Sequence, residues 1–312
     1  MSIGIVLATA ECGMSKRRRV ILILSAIVIV IVGYRFIAVW TIQYGECTPK
    51  PVDPNLRLLT RNERGQIVSY PERIGYPPEA TPLVVMTYNI SGHNELYDPH
   101  HIEKIAAVIN EVRPDIVGLE EVHRKTWQTR FHDQVQELQQ LTHLNIYFGP
   151  SYAEVGGGFG NAILTRGSFV YNEVHPLPSV GEPRSVIESL IRIDNALVNV
   201  YVTHLTTWGH FKSRSRDEEL VCLSKHVRTS RYPYLLLGDF NAPPDSSEIR
   251  HFRQLNAVQI CGEDIGISHP LMKERIDYVW ADYGWQVIGA RVLRIGPSDH
   301  YPVIAQLLWN QS

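Results

Sequence analysis

A chain of 312 residues, 44% hydrophobic and 20% charged, has room for one large folded domain or two of average size and is not disordered as a whole. The formal net charge of −2 conceals a split: residues 82–312 carry 20 Lys+Arg against 26 Asp+Glu, a balance of −6, and residues 1–81 carry 10 against 6. The larger part is acidic, which argues against broad charge-driven nucleic-acid binding and leaves room only for a local basic patch. Cys12, Cys47, Cys222 and Cys261 are far apart and form no CxxC pattern, so zinc-finger and disulfide-framework classes are excluded. Cys222 and Cys261 read as two buried thiols, with a bridge between them the alternative in an oxidising compartment.

In chain order, Lys16-Arg17-Arg18-Arg19 precedes a nearly continuous apolar run over 20–40. At about 1.5 Å per residue, a helix over that run spans roughly 30 Å, the thickness of a bilayer core. The predicted organisation is therefore a cytoplasmic N-terminus (1–19), a single transmembrane signal anchor (20–40) whose partner is the lipid bilayer, a linker or stalk (41–81) and a catalytic domain (82–312) outside the cytoplasm. A cleaved signal peptide with its apolar region at Val20 to Val32 is the rival; no small-x-small cleavage site follows it. Met14 also makes a natural start for such a segment. The Pro-rich stalk carries one short hairpin around Glu63-Arg64-Gly65.

From Leu83 to Tyr88 a buried strand delivers Asn89 at its end. Asp98-Pro99 supplies an N-cap and an N1 proline for a helix with Ile102, Ile105, Ala106 and Ile109 inward. Ile116 to Leu119 is a second buried strand running into Glu120-Glu121, one of which alternation places on the opposite, solvated face. A helix over Thr126 to Leu141 and a strand from Asn145 lead to Gly156-Gly157-Gly158-Phe159-Gly160-Asn161. That glycine-rich stretch lacks the Gly-Lys-Ser/Thr ending of a phosphate loop and reads as a flexible hairpin or cleft rim. Ser185 to Ile193 and Ala196 to Thr203 form a hairpin through Asp194-Asn195, ending at His204. Ser213 to Arg228 is an amphipathic helix with Leu220, Val221, Leu223 and Val227 inward. Tyr234 to Leu237 ends in Gly238-Asp239-Phe240-Asn241, whose Asp239 and Asn241 share a side in extended chain. Asp277 opens another strand, Trp285 to Ile295 is the next, and Gly296-Pro297-Ser298-Asp299-His300-Tyr301-Pro302 is a stiff turn before the last strand, Val303 to Leu308. About ten strands with few helices between them predict two packed, mostly antiparallel sheets with helices outside.

Asn89, Glu121, His204, Asp239, Asn241, Asp277, Asp299 and His300 are thus polar groups at the ends of apolar strands. Phosphoryl transfer needs an in-line water, neutral charge at the phosphoryl oxygens and help for the leaving oxyanion, and this set can supply all three.

In order along the chain, Thr-Tyr-Asn-Ile (87–90), Asp-Ile-Val-Gly-Leu-Glu-Glu-Val (115–122), Gly-Asn-Ala-Ile-Leu-Thr-Arg (160–166), Thr-His-Leu (203–205), Leu-Gly-Asp-Phe-Asn-Ala (237–242), Arg-Ile-Asp-Tyr-Val (275–279) and Ser-Asp-His-Tyr-Pro (298–302) closely resemble the endonuclease/exonuclease/phosphatase superfamily. The resemblance runs from about Leu83 to Trp309. It implies a DNase I-like four-layer α/β sandwich and divalent-metal-dependent phosphoester hydrolysis. By it, Glu121 is the principal ligand of Mg²⁺ or Mn²⁺, with Asn89 and Asp299 beside it; hard oxygen donors suit those ions. Asp239 orients or deprotonates the attacking water, Asn241 fixes the phosphate, and His204 and His300 donate to phosphoryl oxygens. Asp277 holds His300 in its working tautomer. Arg184 resembles a phosphate-contacting arginine of some branches, against the alternative of a surface arginine in a loop. Where the family often has Gln before the metal-binding Glu, this chain has Glu120, which adds charge and leaves open which carboxylate takes the metal. The implied activity is that of a membrane-tethered phosphodiesterase or phosphatase acting on phospholipid headgroups or small phosphoesters, with no obligate protein partner. The alternatives are an extracytoplasmic nuclease of the same fold and a catalytically inactive binding module on the membrane surface.

Overall fold

The computed structural model describes residues 17–18, 20–27, 29, 43–47, 60–61, 67–69, 82–194, 196–207, 213–256 and 258–309. The chain divides into two units, Met1–Gln43 with Val180–Glu182 and Tyr44–Ser179 with Pro183–Ser312. In the first, residues 20–27 are helical. Most of the rest of the predicted 20–40 span lies outside the described residues, and among the described residues no helix is long and apolar enough to cross a membrane. The hairpin predicted around Glu63-Arg64-Gly65 is present as Thr60–Arg61 paired antiparallel with Ile67–Ser69.

The second unit is built on two six-stranded sheets. Sheet 1 uses β1 (Leu83–Asn89), β2 (Ile116–Arg124), β3 (Asn145–Glu154), β4 (Gly157–Thr165), β11 (Trp285–Val292) and β12 (Val303–Trp309), in the order β11-β12-β1-β2-β4-β3. Sheet 2 uses β5 (Ser168–Leu177), β6 (Arg184–Ile193), β7 (Ala196–His204), β8 (Tyr234–Asp239), β9 (Val258–Ile260) and β10 (Asp277–Asp282), in the order β9-β10-β8-β7-β6-β5. Each sheet has one parallel pair, β1 with β2 and β7 with β8; the other pairings are antiparallel. The helices are α1 (His101–Val112), α2 (Gln134–Thr142), α3 (Ser213–Arg228) and α4 (Ser247–Leu255).

Three apolar layers hold these elements together. Leu83, Val85, Ile116, Val200, Val202, Leu235, Leu237 and Val279 meet between the sheets. Met86, Tyr88, Val117 and Leu119 face Ile102, Ile105 and Ile109 of α1, and Tyr201, Leu236 and Tyr278 face Leu220, Leu223 and Phe252 of α3 and α4. The result is the helix-sheet-sheet-helix order expected of a four-layer sandwich. Period-2 alternation decides the site as well as the core. The series 83-85-87-89 on β1, 235-237-239 on β8 and 200-202-204 on β7 run from the intersheet core to its edge, so Asn89, Asp239 and His204 end there together. Gly118 permits the approach, since a Cβ on it would stand 3.0 Å from both Leu237 and Val202.

Several expectations change. The Thr126 to Leu141 helix is a 3₁₀ turn at Trp127–Thr129 followed by α2, which starts only where Asp133 accepts from the Gln136 amide and caps it. Asp98 is not the cap of α1 but makes a turn two residues earlier, accepting from the His100 amide. Most of the glycine-rich stretch is strand β4; only Gly156, at φ 93°, lies in the turn. Val221 is exposed. Strands β5 and β9 and helix α4 were not legible: β5 is an edge strand with mixed exposure, so its apolar pattern is weak.

The cysteine reading is also corrected. Cys222 bridges Cys47, not Cys261, which is a free buried thiol. The bridge joins residues 175 apart in sequence, a closure no spacing rule identifies. Cys222→Ser is expected to cost about 2–4 kcal/mol, lowering Tm by roughly 5–15 °C. Dithiothreitol should lower the wild-type Tm equally and leave the variant unchanged; equal melting of both proteins without reductant counts against the bridge.

Candidate active site

Backbone register sets the site before any side chain is considered. In sheet 2, Asp239 is the register partner of His204 on one side and of Asp277 on the other. In sheet 1, Asn89 pairs with Glu120. Alternation alone would turn Glu121 away, yet Glu121 has φ 58° and the β2–β4 register shifts between Leu119 and Val122. This bulge brings consecutive carboxylates to the same site, Glu120 fully buried and the Glu121 side chain 23% exposed, where alternation predicted one on the opposite, solvated face.

Asp239 is the hub. Its Oδ2 lies 3.2 Å from Asn89 Nδ2, 3.5 Å from His204 Nε2 and 3.8 Å from His300 Nε2, while Oδ1 accepts from the Asn241 amide at 2.8 Å. That last bond closes an Asx turn with Asn241 at φ 50°, so the shared side of Asp239 and Asn241 comes from a turn and not from extended chain. Burial and the neighbouring Asp277 charge raise the Asp239 pKa above the usual carboxylate range.

Two histidines flank the hub in opposite states. Burial and then the Arg184 charge hold His204 well below its ordinary pKa, so it is neutral. Arg184 Nη1 is 3.2 Å from its Nδ1 and Asn241 Nδ2 is 3.0 Å from its Nε2. Arg184 is therefore buried in the site and is not a surface arginine. Burial alone would lower His300, but the Asp277 and Asp239 charges raise it to about 10. Asp277 meets His300 Nδ1 at 2.9 Å; that contact places a proton on Nδ1 and leaves Nε2 facing Asp239.

Glu120 and Glu121 also diverge. Glu120 is fully buried, accepts from Thr87 Oγ1 at 2.9 Å and has no partner at Oε2. Burial, with Asp277 adding to it, raises its pKa well above the usual value, so it stays protonated. Burial would likewise raise Glu121, but bonds from His93 and Asn89, with the His300 charge beyond them, hold it well below the usual range. The ionised carboxylate is Glu121; Glu120 is a neutral acid with the shape and charge of Gln. Asn89 donates from Nδ2 to Glu121 Oε1 at 3.1 Å while its Oδ1 accepts from the Ser91 amide at 3.0 Å, so it presents nitrogen to Glu121 and Asp239. Asp299 accepts from Ser91 Oγ and lies 3.9 Å from His269 Nε2. Ser298 Oγ ties the same loop to the Asn89 carbonyl at 2.7 Å. Glu121 and Asp299 are hard oxygen donors of the kind that hold Mg²⁺ or Mn²⁺. The His93 imidazole, 3.6 Å from Glu121 Oε2 and also sensing the Asp299 charge, marks where positive charge is favoured. Asn89 would join them only with its amide turned.

His93, Ser91, His269 and Ser298 were missed by sequence reasoning. His93 follows the Asn89 motif by four residues and could have been flagged; His269 lies in a loop whose proximity to His300, 4.5 Å between rings, has no sequence signal. Because Glu120 keeps a proton that the unfolded chain releases above its ordinary value of 4.5, stability falls as pH rises through that value. Glu120→Gln is expected to flatten this fall in a profile of Tm against pH. It should also change kcat/KM by less than about tenfold; a larger loss assigns Glu120 the ionised role.

Structures of similar fold include an endonuclease/exonuclease/phosphatase from Beutenbergia cavernae DSM 12333, at 23% identity and TM-score 0.62 over 74% of this chain and 72% of that one. The human Nocturnin catalytic domain with bound sulfate has 21% identity and TM-score 0.61 over 73% of this chain and 94% of that one. TDP2 from D. rerio complexed with a single-strand DNA product has 14% identity and TM-score 0.61 over 73% of this chain and 100% of that one. A mannosyl-6-phosphatase of Bacteroides thetaiotaomicron VPI-5482 has 18% identity at the same TM-score of 0.61, over 73% of this chain and 100% of that one. A search of curated protein sequences gives no significant match. Residues 86–300 match the family model described as Endonuclease/Exonuclease/phosphatase family, a span that takes in every strand end at the site, and the chain belongs to that family.

Proposed function

We propose that the protein is a metal-dependent phosphoester hydrolase, tethered to a membrane with its catalytic unit outside the cytoplasm, that acts on phospholipid headgroups or small phosphoesters. The observation that carries the reading is Asp239 Oδ2, within 4 Å of Asn89, His204 and His300 and raised in pKa toward the range of a general base. Asp239 takes the proton of the attacking water. Asn241 and neutral His204, with Arg184 behind it, hold phosphoryl oxygens. Protonated His300, oriented by Asp277, meets the charge that develops there. Glu121 and Asp299 would hold Mg²⁺ or Mn²⁺, which when bound polarises the phosphoryl group.

The Cys47–Cys222 bridge supports an oxidising location, as the basic cluster and apolar run at 16–40 support an anchor. The acidic balance of residues 82–312 favours a small or lipid-borne phosphoester over a polyanion. The fold neighbour crystallised with single-strand DNA keeps a nuclease reading as the second. Incubation of the full-length chain in detergent with Mg²⁺ and parallel panels of phospholipids, sugar phosphates and DNA separates them. Release of headgroup or phosphate is expected; cleavage confined to DNA sinks the lipid and small-phosphoester reading.

A further inference from the structure

On the outer face of sheet 2, beneath α3 and away from Asp239, lies a second group of titratable side chains that the hydrolytic site does not use. His175 of β5, Glu188 of β6 and His226 of α3 each offer one donor atom within 4.8 Å of the others. His175 and His226 are 6% and 3% exposed, and their rings lie 4.3 Å apart. His175 Nε2 is 2.9 Å from Glu188 Oε2. His226 Nε2 is buried with no hydrogen-bond partner, a costly omission for a polar atom in the interior unless something binds there.

We propose that His175, Glu188 and His226 form a binding site for a divalent transition metal of the Zn²⁺ class, separate from the hydrolytic centre. Two imidazoles and a carboxylate are a donor set that suits zinc. The carboxylate is already oriented: Asn199 Nδ2 and Tyr201 OH each meet Glu188 Oε1 at 3.1 Å, leaving Oε2 to the histidines. Such outer partners are what hold a ligand in place. Ligands at about 2.0–2.1 Å around a tetrahedral ion stand roughly 3.4 Å apart, so the 2.9 Å His175–Glu188 contact opens by about half an ångström to admit one. Glu173, the register partner of Glu188, lies 3.9 Å from His175 Nε2 through Oε2, the oxygen that also accepts from Tyr171 OH. The side chains of Glu173 and Glu188 are 25% and 22% exposed, which provides an entry path. The ion would pin α3 to the two strands at the free edge of sheet 2.

Cys222 lies one turn before His226 on α3, and in the bridged protein its sulfur is not a thiolate ligand. The test therefore uses the oxidised full-length chain in detergent, stripped of metal and dialysed against Zn²⁺ with excess Mg²⁺ present. Wild type and Glu121→Gln are expected to hold one Zn²⁺ more per chain than His226→Gln and Glu188→Gln, and Zn²⁺ should raise the Tm of the first pair only. Should His226→Gln fail to fold, Glu188→Gln decides, because it keeps the shape of a partly exposed side chain. Equal Zn²⁺ content in wild type and Glu188→Gln overturns the assignment. So does Co²⁺ binding that appears only after reduction of Cys47–Cys222 with a thiolate charge-transfer band, which would make the cysteines the ligands.

Discussion

Asp239→Asn is expected to lower kcat by about 10²–10⁴-fold, the range spanned by general acid–base groups. The substitution is nearly isosteric. A carbonyl oxygen in the Oδ1 position still accepts the Asn241 amide, which Asp239 receives at 2.8 Å, so the turn carrying Asn241 persists. What disappears is the basic oxygen beside His204 and His300. Because burial and Asp277 raise the Asp239 pKa, the carboxylate is protonated at low pH and gains basicity as pH rises. Wild-type kcat should therefore climb with pH on its acidic limb, and the variant should lose that limb. A variant with unchanged kcat and an unchanged acidic limb removes Asp239 from the chemistry.

Glu121→Gln is the second large effect, with kcat/KM expected to fall by roughly 10²–10³-fold at a fixed Mg²⁺ concentration, by analogy with the loss of a principal charge stabiliser. Glu121 carries the lowered pKa of the two adjacent glutamates and Glu120 the raised one. Gln at 121 keeps an oxygen for the Asn89 amide, which Glu121 accepts at 3.1 Å, but removes the charge a cation requires. Titration with Mg²⁺ should show weaker apparent binding in Glu121→Gln than in Glu120→Gln. The reverse order exchanges the roles of the two residues.

The pair Glu120-Glu121 shows where reading a linear chain stops. The two carboxylates and their position at a strand end are evident in the sequence. Their division of labour is not, because it depends on a bulge that reverses alternation at Glu121 and on burial that neutralises Glu120. Arg184 is a similar case. A loop arginine and a phosphate ligand look alike in sequence, and only its 3.2 Å approach to His204 separates them. The Cys47–Cys222 bridge joins residues far apart in the chain, and the approach of His226 to His175 and Glu188 joins a helix to two earlier strands; neither has a spacing signature.

The apolar runs and the polar residues that end them were legible because alternation is local: each strand's own residues decide which side chains point inward, and Asn89, His204 and Asp239 continue those inward rows. Seven ordered motifs carried the family in the same local way. Tertiary structure decided what depends on neighbours from elsewhere in the chain. Proton occupancy at Glu120, His204, Asp239 and His300 follows from desolvation and from charges on other strands, and a pKa belongs to the surroundings of a group as much as to the group. The partners of Cys222, His175 and Arg184 follow from the pairing of β5, β6 and β7 and from the packing of α3, contacts with no counterpart in residue spacing.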